Sequence, residues 1–245
     1  MAEPSNTVLV VIPARGGSIG IPNKNLRKIH GKSLVSWAVV FANKLPNVDS
    51  ICVSSDSEAI LNESRDNGDC ILDRRPDLLS GPAISDANVL NHVLHFVEKE
   101  LDKYFDIIVM LQPTSPLRSF SEVMECIRLV AEGASAAWTV NKLDVKYHYK
   151  KQLLASEEGI LRVAVPGPQV IARQELGDTY IRNGACYAIS RKTLIDDPLL
   201  MGSTCGYVVS ESARPNIDEE WDLQLAEQIS FVNQGYLGLM SKINT

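Results

Sequence analysis

Residues 7–14, Thr-Val-Leu-Val-Val-Ile-Pro-Ala, form an unbroken aliphatic run that ends against an arginine and two glycines. A strand with one wet face alternates apolar and polar residues, so a continuous run implies burial on both faces, as in the middle of a parallel sheet. Parallel neighbours need crossover connections, and the chain supplies them. Residues 33–44 read as a helix with Leu34, Trp37, Ala38 and Phe41 on one face, 50–54 as a strand, and 57–67 as a helix closed by Gly68. Residues 70–72 read as a strand. Asp86 is placed as the N-cap of a helix reaching about Asp102, with Val89, Leu90, Val93, Leu94, Val97 and Leu101 as its buried stripe. Strands over 105–111 and 134–140 flank a helix over 121–132. This alternation predicts an α/β fold with a doubly wound, mostly parallel sheet, whose ligand sits at the C-terminal strand ends. Those ends fall at Arg15 onward, at 54–56 and at 112–115.

From about 142 to 183 the pattern breaks into polar, proline- and tyrosine-containing sequence, expected to be a small β-rich insertion that serves as a flap or dimer contact. Returning strands are expected over 185–190 and 206–210. A last helix is expected from near Asp218, with Trp221, Leu225, Ile229 and Val232 as its core stripe. The expected organisation is one domain over 1–245.

Composition narrows the function classes. The net charge is -6, which argues against a nucleic-acid binder. The first 48 residues nevertheless carry six Lys or Arg and one acid, a local +5. A positive island in an acidic chain points to one anionic ligand. The longest apolar run is far short of the about 18–20 residues that cross a bilayer, so no membrane association is expected. The polar N-terminus lacks a signal-peptide pattern. Five scattered cysteines form no CxxC pair. These features predict a cytoplasmic protein with free thiols and no zinc site.

The loop Arg15-Gly-Gly-Ser-Ile-Gly-Ile-Pro-Asn-Lys-Asn25 joins glycines, whose backbone can approach a ligand closely, to the cations Arg15 and Lys24. It fits neither GxxxxGK[ST] nor GxGxxG. The whole string, Ile12-Pro-Ala-Arg-Gly-Gly-Ser18 with Pro22-Asn-Lys-Asn25, resembles the N-terminal signature of the acylneuraminate cytidylyltransferases, the CMP-sialic acid synthetases and relatives acting on other nonulosonic acids. Further stretches match in order: Val53-Ser-Ser-Asp56, Arg75-Pro-Asp-Leu-Leu79, Leu111-Gln-Pro-Thr-Ser-Pro-Leu-Arg118, Ile181-Arg-Asn-Gly-Ala185 and Asn216-Ile-Asp-Glu-Glu-Trp-Asp222.

The resemblance implies a Rossmann-like nucleotidyltransferase fold. It implies transfer of a cytidylyl group from CTP to the anomeric hydroxyl of a nine-carbon 2-keto sugar acid, releasing pyrophosphate. It also implies Mg²⁺ or Mn²⁺ as cofactor and a homodimer. By similarity, Arg15 and Lys24 would hold the triphosphate as the catalytic cations, helped by Ser18 and the Gly16 and Gly17 amides, while Asn25 would fix the loop or touch a phosphate. Ser85 would contact the base, with Asn88 as the alternative. Gln112, Thr114 and Arg118, together with Arg173, Arg182 and Asn183, would meet the sugar acid. Asp218, Asn216 and Asp222 would serve the metal.

Two positions depart from the family pattern. Ile19 replaces a loop lysine and Asn216 replaces an aspartate. They keep open a non-catalytic or altered-nucleotide relative.

Overall fold

The computed structural model describes residues 6–18, 20–167, 176–211 and 214–232. The aliphatic run forms β1 (Val8–Pro13), with α1 (Leu34–Ala42), β4 (Ser50–Ser55), α2 (Glu58–Arg65), β5 (Ile71–Arg74) and α3 (Asp86–Leu101) following. Next come β6 (Ile107–Met110), α4 (Phe120–Ala131), β7 (Ala136–Lys142) and a hairpin of β8 (Leu153–Ala155) and β9 (Leu161–Val163). The described elements end with β10 (Tyr180–Ser190), α5 (Arg191–Asp196), β11 (Cys205–Val209) and α6 (Glu220–Val232).

Seven strands form one sheet in the order β11-β7-β10-β6-β1-β4-β5. β1 runs parallel to both neighbours, in register Leu9 with Ser50 and Val8 with Ile107. Only β10 is reversed, antiparallel to β6 and β7. The burial of β1 follows its sequence. Val8, Val10 and Ile12 pack on one side with residues of α1, α2 and α4, whereas Leu9 and Val11 pack on the other with α3 and Leu194 of α5. The fold is therefore the α/β arrangement expected, with helices on both faces. No described helix is long and apolar enough to cross a membrane.

Several local expectations are corrected. The α3 cap is Ser85, whose Oγ accepts from the Asn88 amide; Asp86 is the first helical residue. Leu101 is exposed at the end of α3 rather than in its stripe. Gly68 does not end α2 by a left-handed turn; a Cβ there would press on Asn43 Nδ2 at 2.6 Å and Val39 Cγ1 at 2.8 Å. The α6 stripe is shifted in phase. Trp221 is 67% exposed, while Leu223 and Ala226 pack with Ile21, Ile29, Leu34, Leu117 and Ile217, with Ile229 beside them. The side chain of Val232 is outside the described residues. The basic segment after the glycine loop also folds, as a hairpin of β2 (Lys28–Ile29) and β3 (Lys32–Ser33). Its two-residue turn, His30-Gly31, has positive φ at both residues, the geometry that suits a tight hairpin.

Leu90 is fully buried between α3 and the sheet. Leu90→Ala should cost about 2–5 kcal/mol by removing its contacts and leaving a cavity. In urea unfolding the midpoint should fall with the slope unchanged.

Candidate active site

The loop after β1 is held from beneath. The Ala14 amide donates to the Ser54 carbonyl (3.0 Å), and the Gly16 amide to Asp56 Oδ1 (2.7 Å). Asn25 is buried, and its Nδ2 donates to the Arg15 carbonyl at 2.9 Å. Of the two roles open to Asn25, the structure displays the loop-fixing one. These contacts leave the Gly17 and Ser18 amides and the Arg15 guanidinium without a hydrogen bond among the described residues. The Gly16 amide, by contrast, is already taken by Asp56 and is not a free donor. Ile19 lies outside the described residues.

Pro13, Arg15, Ser18, Lys24 and Asn25 form one side of a cleft of about 270 Å³ at the C-terminal edge of the sheet. Arg75, Leu79, Pro82, Ile84, Asp86 and Val89 form the opposite side, and Gln112, Pro113 and Thr114 a third. Ser85 and Asn88 are absent from this lining, because Ser85 is turned to its cap and the cleft-facing positions are Ile84, Asp86 and Val89. Arg75 is buried with Nε on Ser54 Oγ (3.0 Å) and Nη2 on the Ser54 carbonyl (2.6 Å). Ser54 Oγ in turn donates to Asp73 Oδ2 (2.6 Å), and His92 Nε2 lies 3.2 Å from Asp73 Oδ1. Burial lowers the Arg75 pKa, against the opposing pull of Asp56, Asp73 and Asp86. The walls around Asp86 raise its pKa, opposed by Arg182 and Arg75. Its side chain remains open to water, which limits the effect.

The 112–118 stretch divides its side chains between cleft and interior. Gln112 and Thr114 face the cleft. Arg118 does not. It is buried against the Phe41 ring and donates to the Gln112 and Ser115 carbonyls, tying the turn from inside. Burial lowers its pKa to about 10. The expected sugar contact is thus a loop anchor. Asn183 is corrected for the same reason. Its Nδ2 donates to Asn141 Oδ1 (3.1 Å) and Ser210 Oγ (2.8 Å), and its Oδ1 accepts from Thr139 Oγ1 (2.7 Å). Gly184, with φ of 74°, lets β10 pass within reach of Gln112 and Ser115; a Cβ there would stand 2.6 Å from Gln112 Oε1 and Ser115 Oγ. Arg182 remains exposed, its guanidinium 5.5 Å from the centre of the Trp138 ring, beside but not within the cleft lining. Arg173 lies outside the described residues.

Residues 216–222 approach the cleft on its glycine-loop side. Lys24 Nζ donates to Asp218 Oδ1 (2.8 Å) and to the Ile217 carbonyl (2.9 Å). The Asp218 side chain is 70% exposed and that of Lys24 14%. Arg27 pairs with Glu220 beside them. Gly20 fits because a Cβ would lie 2.5 Å from the Asp218 carbonyl. Asp222, expected at the metal, is placed in the first turn of α6. Its Oδ2 accepts the Asp218 and Glu219 amides (3.0 and 2.8 Å), capping α6. Asn216 Oδ1 lies 3.5 Å from Ser115 Oγ, turned towards β6 and β10. The described residues contain no group of three or more His, Cys, Asp or Glu that could hold a metal. A magnesium-type ion needs only one or two carboxylates and completes its shell with water and phosphate oxygens. Asp218 fits that demand; Asp222 and Asn216 as placed do not add to it.

The structure therefore brings Arg15, Ser18, Lys24, Gln112 and Thr114 to one cleft, with Asp218 on Lys24 at its rim. Arg75 and Asp86 were missed as cleft residues. The signal for Arg75 was its place in the Arg75-Pro-Asp-Leu-Leu79 motif, and for Asp86 its position one turn before the apolar stripe of α3.

The family model for cytidylyltransferases matches residues 9–159. A CMP-N,N'-diacetyllegionaminic acid synthase of Legionella pneumophila is 27% identical over 243 residues, spanning 93% of this chain and 97% of its own. The post-translational flagellin modification protein B of Campylobacter coli is 24% identical, spanning 90% and 93%. An N-acylneuraminate cytidylyltransferase of Streptococcus agalactiae is 27% identical over 87% of this chain, which covers 51% of that longer protein. In fold, the chain is similar to a CMP:2-keto-3-deoxy-manno-octonic acid synthetase solved with CTP. That match has a TM-score of 0.69 and 18% identity, and covers 92% of this chain and 99% of that one.

The anchoring and the solvent-facing arginines should separate in a stability assay. Arg118→Ala removes the side-chain hydrogen bonds to the Gln112 and Ser115 carbonyls and empties a buried site, and should lose about 2–4 kcal/mol. Arg15→Ala removes a side chain with no protein partner and should stay within about 0.5 kcal/mol of the native protein, both read by urea unfolding.

Proposed function

Because this chain belongs to the cytidylyltransferase family, we propose that it transfers CMP from CTP to the anomeric hydroxyl of a nonulosonic acid, releasing pyrophosphate. The observation that carries the reading is the cleft at the end of β1. There Arg15 and the Ser18 amide, both without a hydrogen bond among the described residues, border with Lys24 a cavity of about 270 Å³. Relatives matched along nearly their whole length include a CMP-N,N'-diacetyllegionaminic acid synthase, so that acid is the first substrate to test.

In this reading the triphosphate lies along the glycine loop. Arg15 and the Gly17 and Ser18 amides take the phosphate oxygens, and Lys24 leaves Asp218 to join them. The acid stands between Gln112, Thr114 and Arg182, whose exposed guanidinium suits a carboxylate. Its anomeric hydroxyl is thereby aimed at the α-phosphorus, and the sugar–phosphate bond forms as the bond to pyrophosphate breaks. Catalysis of such a step is chiefly positioning and neutralisation of phosphate charge. Asp218, once released by Lys24, would hold a divalent ion, Mg²⁺ or Mn²⁺. That ion would supply charge neutralisation on the phosphates. Neither Ile19 nor Asn216 favours the non-catalytic alternative over this reading, since an uncharged residue 216 still leaves Asp218 for the ion.

The segment over 142–183 serves as a dimer contact in the same proposal. Leu153, Leu161, Val163 and Ile181 are each more than half exposed there, more apolar surface than one hairpin leaves in water without cover. A second copy of the chain is the proposed cover. Leu161→Asp should shift the sedimentation coefficient from dimer to monomer; a monomeric native protein overturns the contact.

With CTP, Mg²⁺ and N,N'-diacetyllegionaminic or N-acetylneuraminic acid, the native protein should release pyrophosphate and form the CMP-sugar. Silence across a panel of nonulosonic acids with Mg²⁺ and Mn²⁺ overturns the reading. Arg15→Ala should weaken CTP binding about tenfold or more, the loss of one charge-assisted contact. An unchanged Kd by calorimetry would remove Arg15 from the phosphate site.

A further inference from the structure

Residues 214–218 lie in neither helix nor strand, and Asp218 stands at their end. No ladder or helical turn fixes such a segment, so individual bonds must hold it. One end is tied to the 112–118 stretch. The Ile217 amide donates to the Thr114 carbonyl at 2.7 Å, and the Ile217 side chain is buried with Leu117, Leu223 and Ala226.

The other end is tied to α4. Arg214 donates to Glu122 through both terminal nitrogens, Nη1 to Oε2 (2.8 Å) and Nη2 to Oε1 (3.0 Å). Their side chains are only 9% and 8% exposed. Glu122 lies in the first turn of α4, where the helix dipole favours a carboxylate. Ser210 Oγ donates to the same Oε2 (3.1 Å) and accepts from Asn183 Nδ2 (2.8 Å). The Asn183 carbonyl in turn accepts from Ser115 Oγ (2.8 Å), next to the Thr114 that receives Ile217.

A buried ion pair is a poor source of stability. Desolvation offsets much of its Coulomb attraction, and apolar residues of similar volume often serve as well. What it offers instead is direction, since a two-point guanidinium–carboxylate contact fixes distance and orientation together. Pro215 stiffens the link that follows: it fixes its own φ and keeps Arg214 from helical geometry. A shift at Arg214 is therefore passed along the chain to residue 218.

Resting on the reading that Asp218 holds a divalent ion beside the nucleotide, we propose that Glu122 and Arg214 are positioning residues for that carboxylate. Neither belongs to the cleft lining. They set where the segment before α6 begins, and thereby where Asp218 stands against Lys24 and the glycine loop.

The test removes the pair without leaving a lone buried charge. Glu122→Leu combined with Arg214→Met replaces both partners by apolar residues of similar volume, and Arg214→Lys keeps the charge but loses the fork. Native protein and both variants are titrated calorimetrically with Mn²⁺ in the presence of CTP, and with CTP in the absence of metal. The double variant should bind Mn²⁺ about tenfold more weakly or worse, the loss typical of a group that orients a metal ligand. Arg214→Lys should fall between it and the native protein. Metal-free CTP binding should not weaken. A merely structural pair would lower the thermal midpoint and leave the Mn²⁺ titration unchanged, so native Mn²⁺ affinity in either folded variant overturns this inference alone. Equal weakening of metal-free CTP binding overturns it likewise, as general damage to the cleft. A native protein that binds CTP but no Mn²⁺ overturns it together with the ion at Asp218, and one that binds no CTP overturns it together with the proposed function.

Discussion

The backbone after β1 turns away from the sheet and is caught by groups from three other segments. Asp56 takes the Gly16 amide, Asn25 clamps the Arg15 carbonyl, and Gly20 slides under the carbonyl of residue 218. A glycine-rich segment loses more conformational freedom on ordering than any other, so without these clamps it would fill the cleft in many shapes. Their effect is to leave two amides and one guanidinium without a hydrogen bond among the described residues. The cleft, the position of Lys24 and the docking of the last helix all depend on that one restrained turn. The clamps are themselves placed by the parallel pairing of β1 with β4, which sets Ser54 and Asp56 beside it.

Much of this was legible because burial and phase coincide. The β1 run is apolar at every position and buried on both faces, and the α3 stripe from Val89 to Val97 is a regular amphipathic pattern. The failures cluster where phase is set by something other than local sequence. The apolar residues of α6 include Trp221 and Leu225, yet the helix turns Leu223 and Ala226 inward, because the surface it meets is made by Ile21, Ile29 and Leu117 from distant segments. Motif residues fail in the same way. Arg118, Asn183 and Asp222 stand inside recognisable strings beside residues that face the cleft, but each bonds to carbonyls, amides or neighbouring side chains of the protein. A motif marks a neighbourhood in which some members hold the shape and others meet the ligand. Only the hydrogen-bond accounting divides them.

Arg75 illustrates the converse. Its string was recognisable, but a buried guanidinium bonded to a serine reads as structure until its place on the cleft lining is seen. The Ser54, Asp73 and His92 chain behind it is what lets a long, flexible side chain act as a fixed donor.

Lys24 and Asp218 stand in contact in the described form, each neutralising the other. Whatever enters must exchange partners with both. Asp218 would repel an anion that came without a cation, and Lys24 would repel a cation that came without an anion. The bridge thus behaves as a double lock, opened at least electrostatic expense by ligands whose charges arrive already coupled, and it shuts again on their departure.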